Sequence, residues 1–227
     1  MTGARRVILN FHGLGEPPAA VPAAERPYWV CADRFARIVA EVAARRARGQ
    51  DIAITFDDGN RSDLEIAAPR LAEAGLSAAF FVLTGRLEDD RYLSRAQIGQ
   101  LQRMGMEIGL HGRDHVDWRR LDESGRRAEI PRARAELAEL LGGPVRGVAI
   151  PFGAYDRRVM SYLKREGFER IHTSDGGRAR AGARVQPRVS LRSDSSEAEL
   201  AALLDGTEPA LGRLTRRLRR ALKEHVV

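Results

Sequence analysis

Short apolar runs alternate along this chain with stretches whose apolar positions recur every three or four residues. The runs at 6–13 (RVILNFHG), 51–56 (DIAITF), 77–85 (SAAFFVLTG), 106–112 (MEIGLHG), 145–153 (VRGVAIPFG), 168–175 (FERIHTSD) and 183–191 (ARVQPRVSL) predict strands. Helical spacing falls between them, at 32–49, 64–75, 94–105, 129–142 and 155–167, and again at 195–206 and 211–225. In the first of these Phe35, Ile38, Val39 and Val42 share a face, with Asp33 as the expected N-cap and Gly49 as the stop. Ser94 is the expected N-cap of 94–105. Pro69 is expected to disturb 64–75 unless it sits in the first turn, and Pro187 to mark the edge or end of the last strand. The unbroken apolar run at 77–85 suggests a strand buried on both faces.

Strand and helix in regular alternation predict an α/β fold: a parallel sheet wrapped by helices, as an open sheet or a closed or distorted barrel. No linker interrupts it, so residues 1–227 read as one domain. In such folds function gathers at the carboxyl ends of the strands. Several predicted strands end in polar or turn residues there: His12, the pair Asp57-Asp58, His111 with His115, and Pro151-Phe152-Gly153.

Composition narrows the classes. At 227 residues with 43% hydrophobic content the chain can fill a core and is not disordered by composition. A single cysteine, Cys31, excludes an intrachain disulfide and a cysteine-based zinc site. The N-terminal stretch does not resemble a signal peptide, and no apolar run is long enough to span a bilayer, so the expected location is cytoplasmic. The formal charge is +7, yet Arg213, Arg216, Arg217, Arg219, Arg220 and Lys223 account for all but one of the surplus charges. The nearly neutral remainder gives no ground for nucleic-acid binding.

Two like charges at Asp57-Asp58 oppose each other's ionisation. A turn would explain them singly, but not their convergence with His111 and His115 on one end of a parallel sheet. Two imidazoles and a carboxylate form a common ligand set for a divalent ion with positions left open for water and substrate. The doubled aspartate then divides the labour: one carboxylate binds the ion, and its neighbour takes the proton of the activated water.

With these residues in view the sequence resembles the polysaccharide deacetylase family, also called NodB-homology or carbohydrate esterase family 4. The segment TFDDG (55–59) resembles its first motif, HGRDH (111–115) its second and AIPFG (149–153) its third. The resemblance spans roughly residues 7–190. It implies a distorted (β/α) barrel, often of seven strands. It implies Asp57 as base, Asp58, His111 and His115 as metal ligands, and a groove wall at Pro151, Phe152 and Gly153 offering a backbone N–H to the oxyanion. Three departures stand out. Gly112 replaces a serine or threonine that steadies the second motif, Ala149 replaces the third motif's arginine, and the fourth motif and the fifth motif's histidine are not evident. The late Pro187-Arg188 suggests that Arg188 orients Asp57 in place of the missing arginine. His12 and His172 are the candidate proton donors, unless Asp57 returns the proton it took; His12, Trp29, Tyr28 and Trp118 are further candidates for sugar contact.

The implied reaction is removal of an N-acetyl or similar acyl group from an amino sugar or glycan precursor. The cofactor would be a divalent ion, Zn²⁺ before Co²⁺, Ni²⁺ or Mn²⁺. Expected partners are an N-acetylated, nucleotide-linked or lipid-linked sugar, and no nucleic acid. The stripe Leu211, Leu214, Leu218 and Leu222 among the C-terminal arginines suggests a terminal helix docked on the barrel or resting on the inner membrane face. Two alternatives keep the same fold: another metal-dependent amide or ester hydrolase, and a metal-binding sugar-binding protein without turnover.

Overall fold

The structure, a computed structural model, describes residues 5–207 and Lys223. In chain order its elements are β1 (Arg5–Phe11), β2 (Gly13–Leu14), β3 (Trp29–Val30), α1 (Ala32–Ala47), β4 (Ile52–Phe56), α2 (Ala68–Glu73), β5 (Ala79–Val82), α3 (Arg95–Arg103) and β6 (Glu107–Leu110). There follow α4 (Glu123–Arg127), α5 (Ala133–Leu141), β7 (Gly147–Ala149), α6 (Arg157–Arg165), β8 (Arg170–Thr173), β9 (Arg178–Arg180), β10 (Val185–Pro187), β11 (Val189–Ser190) and α7 (Glu197–Asp205).

The main sheet runs β10-β8-β7-β6-β5-β4-β1-β11, all parallel, with β9 added antiparallel to β1. Its two outer strands are one short segment. Residues 185–187 pair with β8 and residues 189–190 pair with β1, so the chain crosses from one sheet edge to the other at Arg188. This draws the sheet into a nearly closed, distorted barrel of seven staves. Pro187 has no N–H for further pairing, which suits it to the point where the strand changes partner.

The two faces of the staves carry different chemistry, as the period of two requires. Val7, Leu9 and Phe11, then Ile52, Ile54 and Phe56, join the apolar core under the helices. Phe56 stacks on Phe11 and on Phe80 at centroid distances of 5.4 and 4.6 Å. The alternate positions fill the barrel interior: Asn10 pairs in register with Thr55, Phe81 with Gly109, and Ala149 with His172. A Cβ at Gly109 would come within 2.4 Å of the Phe81 ring, so glycine there makes room for it. The strand at 77–85 is thus buried on both faces, Phe80 outward and Phe81 inward.

Several local expectations change. The N-cap of α1 is Cys31, in extended conformation, and Asp33 lies inside the first turn. Ser94 does cap α3, in a reciprocal box with Gln97. The helices at 64–75 and 129–142 each begin with a widened π turn, Asp63–Ala67 and Ala128–Arg132. Pro69 sits in the first turn of α2, whereas Pro131 lies inside its π turn, where the wider spacing absorbs the missing N–H. The loop after β1 is not wholly irregular, because β2 pairs with β3. The helix expected over 211–225 lies outside the described residues except for Lys223. Among the described residues no helix is long and apolar enough to cross a membrane.

Candidate metal centre and its cavity

Asp57 and Asp58 leave β4 in opposite roles. Asp57 takes the inward direction of Thr55 and is buried; Asp58 has φ 74° and turns back over the barrel mouth. His111 extends the inward side of β6 past Gly109, while His115 reaches the same place from a residue with φ 58°. Asp58, His111 and His115 converge, their ligand atoms all within 4.8 Å of one another.

Donor chemistry and geometry both suit a divalent cation. His111 donates its Nδ1–H to the carbonyl of Ala149 at 2.9 Å, which leaves the Nε2 lone pair facing Asp58 Oδ1 at 3.4 Å. His115 Nε2 stands 3.6 Å from the same oxygen. That oxygen is buried and has no hydrogen-bond partner among the described residues. Lone pairs packed against an unsatisfied carboxylate oxygen repel unless a cation lies between them. Burial would raise the Asp58 carboxyl, but the imidazoles around it bring it down to about 2. Burial and the neighbouring His111 lower His115 to about 4, so its ring is neutral and carries a free lone pair at neutral pH. Burial opposes charge on His111 too, yet Asp57 and Asp58 raise its proton affinity. A proton on His111 therefore competes with a metal ion for the same site.

Glu129 holds the second motif in place. Its carboxylate accepts from Arg113 N–H at 3.0 Å, Asp114 N–H at 2.9 Å and Trp118 Nε1–H at 3.3 Å. Gly112 makes this possible, because a Cβ there would lie 2.6 Å from Glu129 Oε2. A buried carboxylate from the helical segment after the motif thus supplies the steadying that a serine or threonine side chain would give. Sequence reading missed it, since Glu129 stands 18 positions from His111 with no local signal. It also left Trp118 open to sugar contact; Trp118 is a core residue.

Behind the triad, Arg188 grips Asp57 through both oxygens, Nη1 to Oδ1 and Nη2 to Oδ2, each at 2.7 Å. Asn10 Nδ2 donates to Asp57 Oδ2 at 3.0 Å, and Arg188 Nη1 donates to Asn10 Oδ1 at 2.8 Å. Thr55 donates to the same Asn10 oxygen at 2.7 Å. Arg188 is wholly buried inside the barrel, its guanidinium carbon 5.4 Å from the centroid of the Phe81 ring. Burial, the largest influence, would raise Asp57; the charge and hydrogen bonds of Arg188, joined by the neighbouring imidazoles, together outweigh it and hold the carboxyl well below the ordinary range.

A cavity of about 460 Å³ opens over these groups. His12, Trp29, Phe152, Asp57, Asp58 and the two histidines reach it. His12 Nε2 is 4.0 Å from Asp57 Oδ2, and its ring lies 4.9 Å from that of Tyr28, another wall residue. Trp29 packs over Gly13, where a Cβ would fall 2.2 Å from the indole. Phe152, 62% exposed and at φ 58°, puts its ring 4.2 Å from His115. Pro151 and Gly153 are buried behind it and shape the turn. Gly153 and Ala154 spend their N–H groups on Ile150 and Pro151, whereas the Phe152 N–H has no acceptor among the described residues. Lys223 bonds the Gly153 carbonyl at 3.0 Å and Asp175 Oδ1 at 2.8 Å.

The structure does not bring His172 to the cavity. It sits inside the barrel on β8, 4.7 Å from the Phe81 ring. Burial first and then the Arg188 charge push its pKa well down, so it stays a neutral imidazole and is no general acid.

A family model described as polysaccharide deacetylase matches residues 44–171. YxkH of Bacillus subtilis (strain 168), a protein assigned to the polysaccharide deacetylases, is 22% identical over 128 residues, which are 56% of this chain and 46% of that one. The match thus covers less than half the length of that relative. The structure of Streptococcus pyogenes deacetylase PplD, in complex with acetate, superposes with a TM-score of 0.77 at 20% identity, over 92% of this chain and all of that one. IcaB from Ammonifex degensii gives a TM-score of 0.71 at 24% identity, over 89% of this chain and 98% of that one. At such identities the structures speak for the fold, and the family match carries the assignment. The matched stretch holds both aspartates, both histidine ligands and the turn at Phe152, and the chain belongs to the polysaccharide deacetylase family.

Proposed function

We propose that this protein is a metal-dependent hydrolase that removes an N-acetyl group from an amino sugar. The observation that carries the reading is the division between the two aspartates: one faces the imidazole pair, and the other is locked to an arginine at the floor of the same cavity. A divalent ion held by Asp58, His111 and His115 would polarise the acyl carbonyl and acidify water. Zn²⁺ suits the donor set best, and Co²⁺, Ni²⁺ or Mn²⁺ would also be accepted.

The remaining work falls to the chain. Asp57 is ionised across the working range and accepts the proton of the attacking water; its low basicity is tolerable because that water is itself made acidic. Arg188 fixes the direction of both Asp57 oxygens, so the lone pair that takes the proton is pre-aimed. The Phe152 N–H is free to donate to the developing oxyanion. His12, at the cavity wall beside Asp57, is the better-placed donor to the departing amine. Trp29 and Phe152 offer aromatic faces to the C–H surface of a sugar ring. PplD holding acetate is consistent with acetate as the released acid. A sugar-binding protein without turnover would have no use for a second, arginine-locked aspartate.

The test is acetate release from a panel of N-acetylated sugars, nucleotide sugars and lipid-linked sugars by the ion-loaded protein. We expect release that chelator abolishes and that D57N lowers by at least about a hundredfold, the usual weight of a general base. Release that survives both treatments would refute the reading.

A further inference from the structure

Among the described residues Arg86 is a cation of the cavity wall that forms no ion pair. It ends the short turn Thr84–Arg86 after β5 and is half-buried. Its guanidinium carbon stands 4.9 Å from the centroid of the Tyr92 ring, and Nη1 donates to the Tyr92 hydroxyl. Among the described residues that hydroxyl is its one hydrogen-bond acceptor, and no carboxylate forms an ion pair with it. Most of a guanidinium's five N–H donors are therefore left for a ligand or solvent.

The nearby acids are committed elsewhere. Asp89 holds Arg91, Nε contacting its two oxygens at 2.9 and 3.2 Å. Glu88 faces Arg95 at 3.5 Å. Asp57 belongs to Arg188 and Asp58 to the imidazole pair. Glu25, the other carboxylate of the wall, is exposed and forms no ion pair with Arg86.

Arg86 is also held firmly. Tyr92 pairs with Asn60 in an antiparallel bridge, Leu93 N–H bonds the Gly59 carbonyl at 2.8 Å, and Arg61 N–H bonds the Arg91 carbonyl at 3.1 Å. The segment that carries Tyr92 is thereby stitched to the loop that carries Asp58. Burial first, and the Asp58 charge with it, raise the Tyr92 phenol, which stays a neutral hydroxyl. An arginine stacked on a ring loses little freedom on binding, and its planar fork matches the oxygens of phosphate or carboxylate.

We propose that Arg86 is a specificity-determining residue that receives an oxyanion, phosphate or carboxylate, borne by the same sugar whose acyl group is presented to Asp57. The substrate class is then an acidic acetamido sugar, such as a sugar joined through a phosphate ester, and not a neutral glycan. This rests on the amide-hydrolase reading of the cavity.

The experiment compares kcat/KM of the ion-loaded protein for N-acetylglucosamine 1-phosphate, an N-acetylated uronic acid and the neutral methyl glycoside of N-acetylglucosamine. Alongside, calorimetry measures binding of glucosamine 1-phosphate and of methyl glucosaminide, which needs no turnover. We expect the wild type to favour at least one acidic sugar over the neutral one by roughly tenfold or more, the weight of a charged hydrogen bond. R86Q should bring that ratio close to one, and R86K should keep part of it. The two acidic arms separate phosphate from carboxylate recognition. Equal kcat/KM for acidic and neutral sugars in the wild type, or a ratio that R86Q leaves standing, would overturn the proposal. Arg86-dependent binding of glucosamine 1-phosphate without acetate release from any sugar would uphold Arg86 as the oxyanion contact and overturn the hydrolase reading, and with it the substrate role, instead.

Discussion

Replacing Arg188 by methionine removes the charge from the barrel interior while keeping most of the volume. Asp57 then remains buried, with Asn10 and the imidazoles as its only relief. Truncating one member of a buried, bidentate ion pair costs about 3–5 kcal/mol, because the partner charge is left uncompensated. For a chain of this size that is a fall in melting temperature of about 6–20 °C at neutral pH. Most proteins have only about 5–15 kcal/mol to lose, so R188M should fold but melt early.

The pH dependence separates this cause from simple loss of packing. In the wild type the Asp57 carboxyl is depressed, so its contribution is present above the unfolded pKa of about 3.9 and is lost as pH falls through the lower folded value. Without Arg188, burial becomes the dominant influence and the folded value rises above the unfolded one. The sign then reverses, and the group's contribution is lost as pH rises. The gap between wild type and R188M should be widest near pH 7 and should narrow steadily as pH falls toward about 3. The acid limb of kcat/KM should move to higher pH in the variant, because the base now protonates more easily. D57N/R188M, with neither charge, should recover much of the lost stability. Melts of the chelator-treated proteins between pH 3 and 8 decide the matter: parallel curves for wild type and R188M, or an R188M midpoint within about 2 °C of wild type at pH 7, refute the reasoning.

Two further outcomes follow from single groups. E129A frees the Arg113 and Asp114 amides and loosens the loop between the two histidine ligands, so Zn²⁺ affinity should fall about 10–100-fold. Competition against a chromogenic chelator measures this, and an affinity within twofold of wild type in a folded variant would count against the role. Asp63 is fully buried with both carboxylate oxygens unpartnered among the described residues, and burial first, then Asp58 and Asp57, raise its carboxyl well above the usual range. A raised carboxyl stabilises below the unfolded pKa and loses that contribution as pH rises, so D63N, which cannot ionise, should melt above wild type at pH 7 and match it below about pH 4. A D63N midpoint at or below wild type at pH 7 would remove the idea.

The sheet was legible because its staves are short apolar runs set between helical spacings, and that contrast survives in a single sequence. Period two also accounts for Thr55 and Asp57 on one face and Phe56 on the other. Closure of the barrel is implied by the family resemblance, not by the alternation of strand and helix. Alternation along 183–191 fixes which side chains share a face, but not that the first half pairs with β8 and the second with β1. The meeting of Arg188 with Asp57 is anticipated from the resemblance, in which Ala149 stands where an arginine is usual and Pro187-Arg188 matches a late element. His172 illustrates the converse error. It stands near the end of an apolar run, but on an interior position of β8, where Phe81 and Arg188 surround it. Glu129 carried no pattern, because its partners sit 11, 15 and 16 positions earlier in an irregular loop, and Arg86 meets Tyr92 six positions on in a turn with no periodicity to mark it.

The backbone itself marks the site in a way that no side-chain motif does. Among the described residues, three that are not glycine have positive φ: Asp58, His115 and Phe152. Two of them are followed at once by a glycine in the same region, Gly59 at φ 70° and Gly153 at φ 60°. Left-handed geometry costs a side-chain-bearing residue about 1–3 kcal/mol, and glycine would relieve it. Conformational preference alone would therefore put glycine at all three positions. The chain instead has a carboxylate, an imidazole and an exposed ring, and all three reach one cavity. Packing does not demand these side chains, since Asp58 and His115 are only half-buried and Phe152 is open to solvent. On the proposed function, what the three residues share is a ligand or a substrate to meet, and the strain is retained because that chemistry requires those groups in those directions.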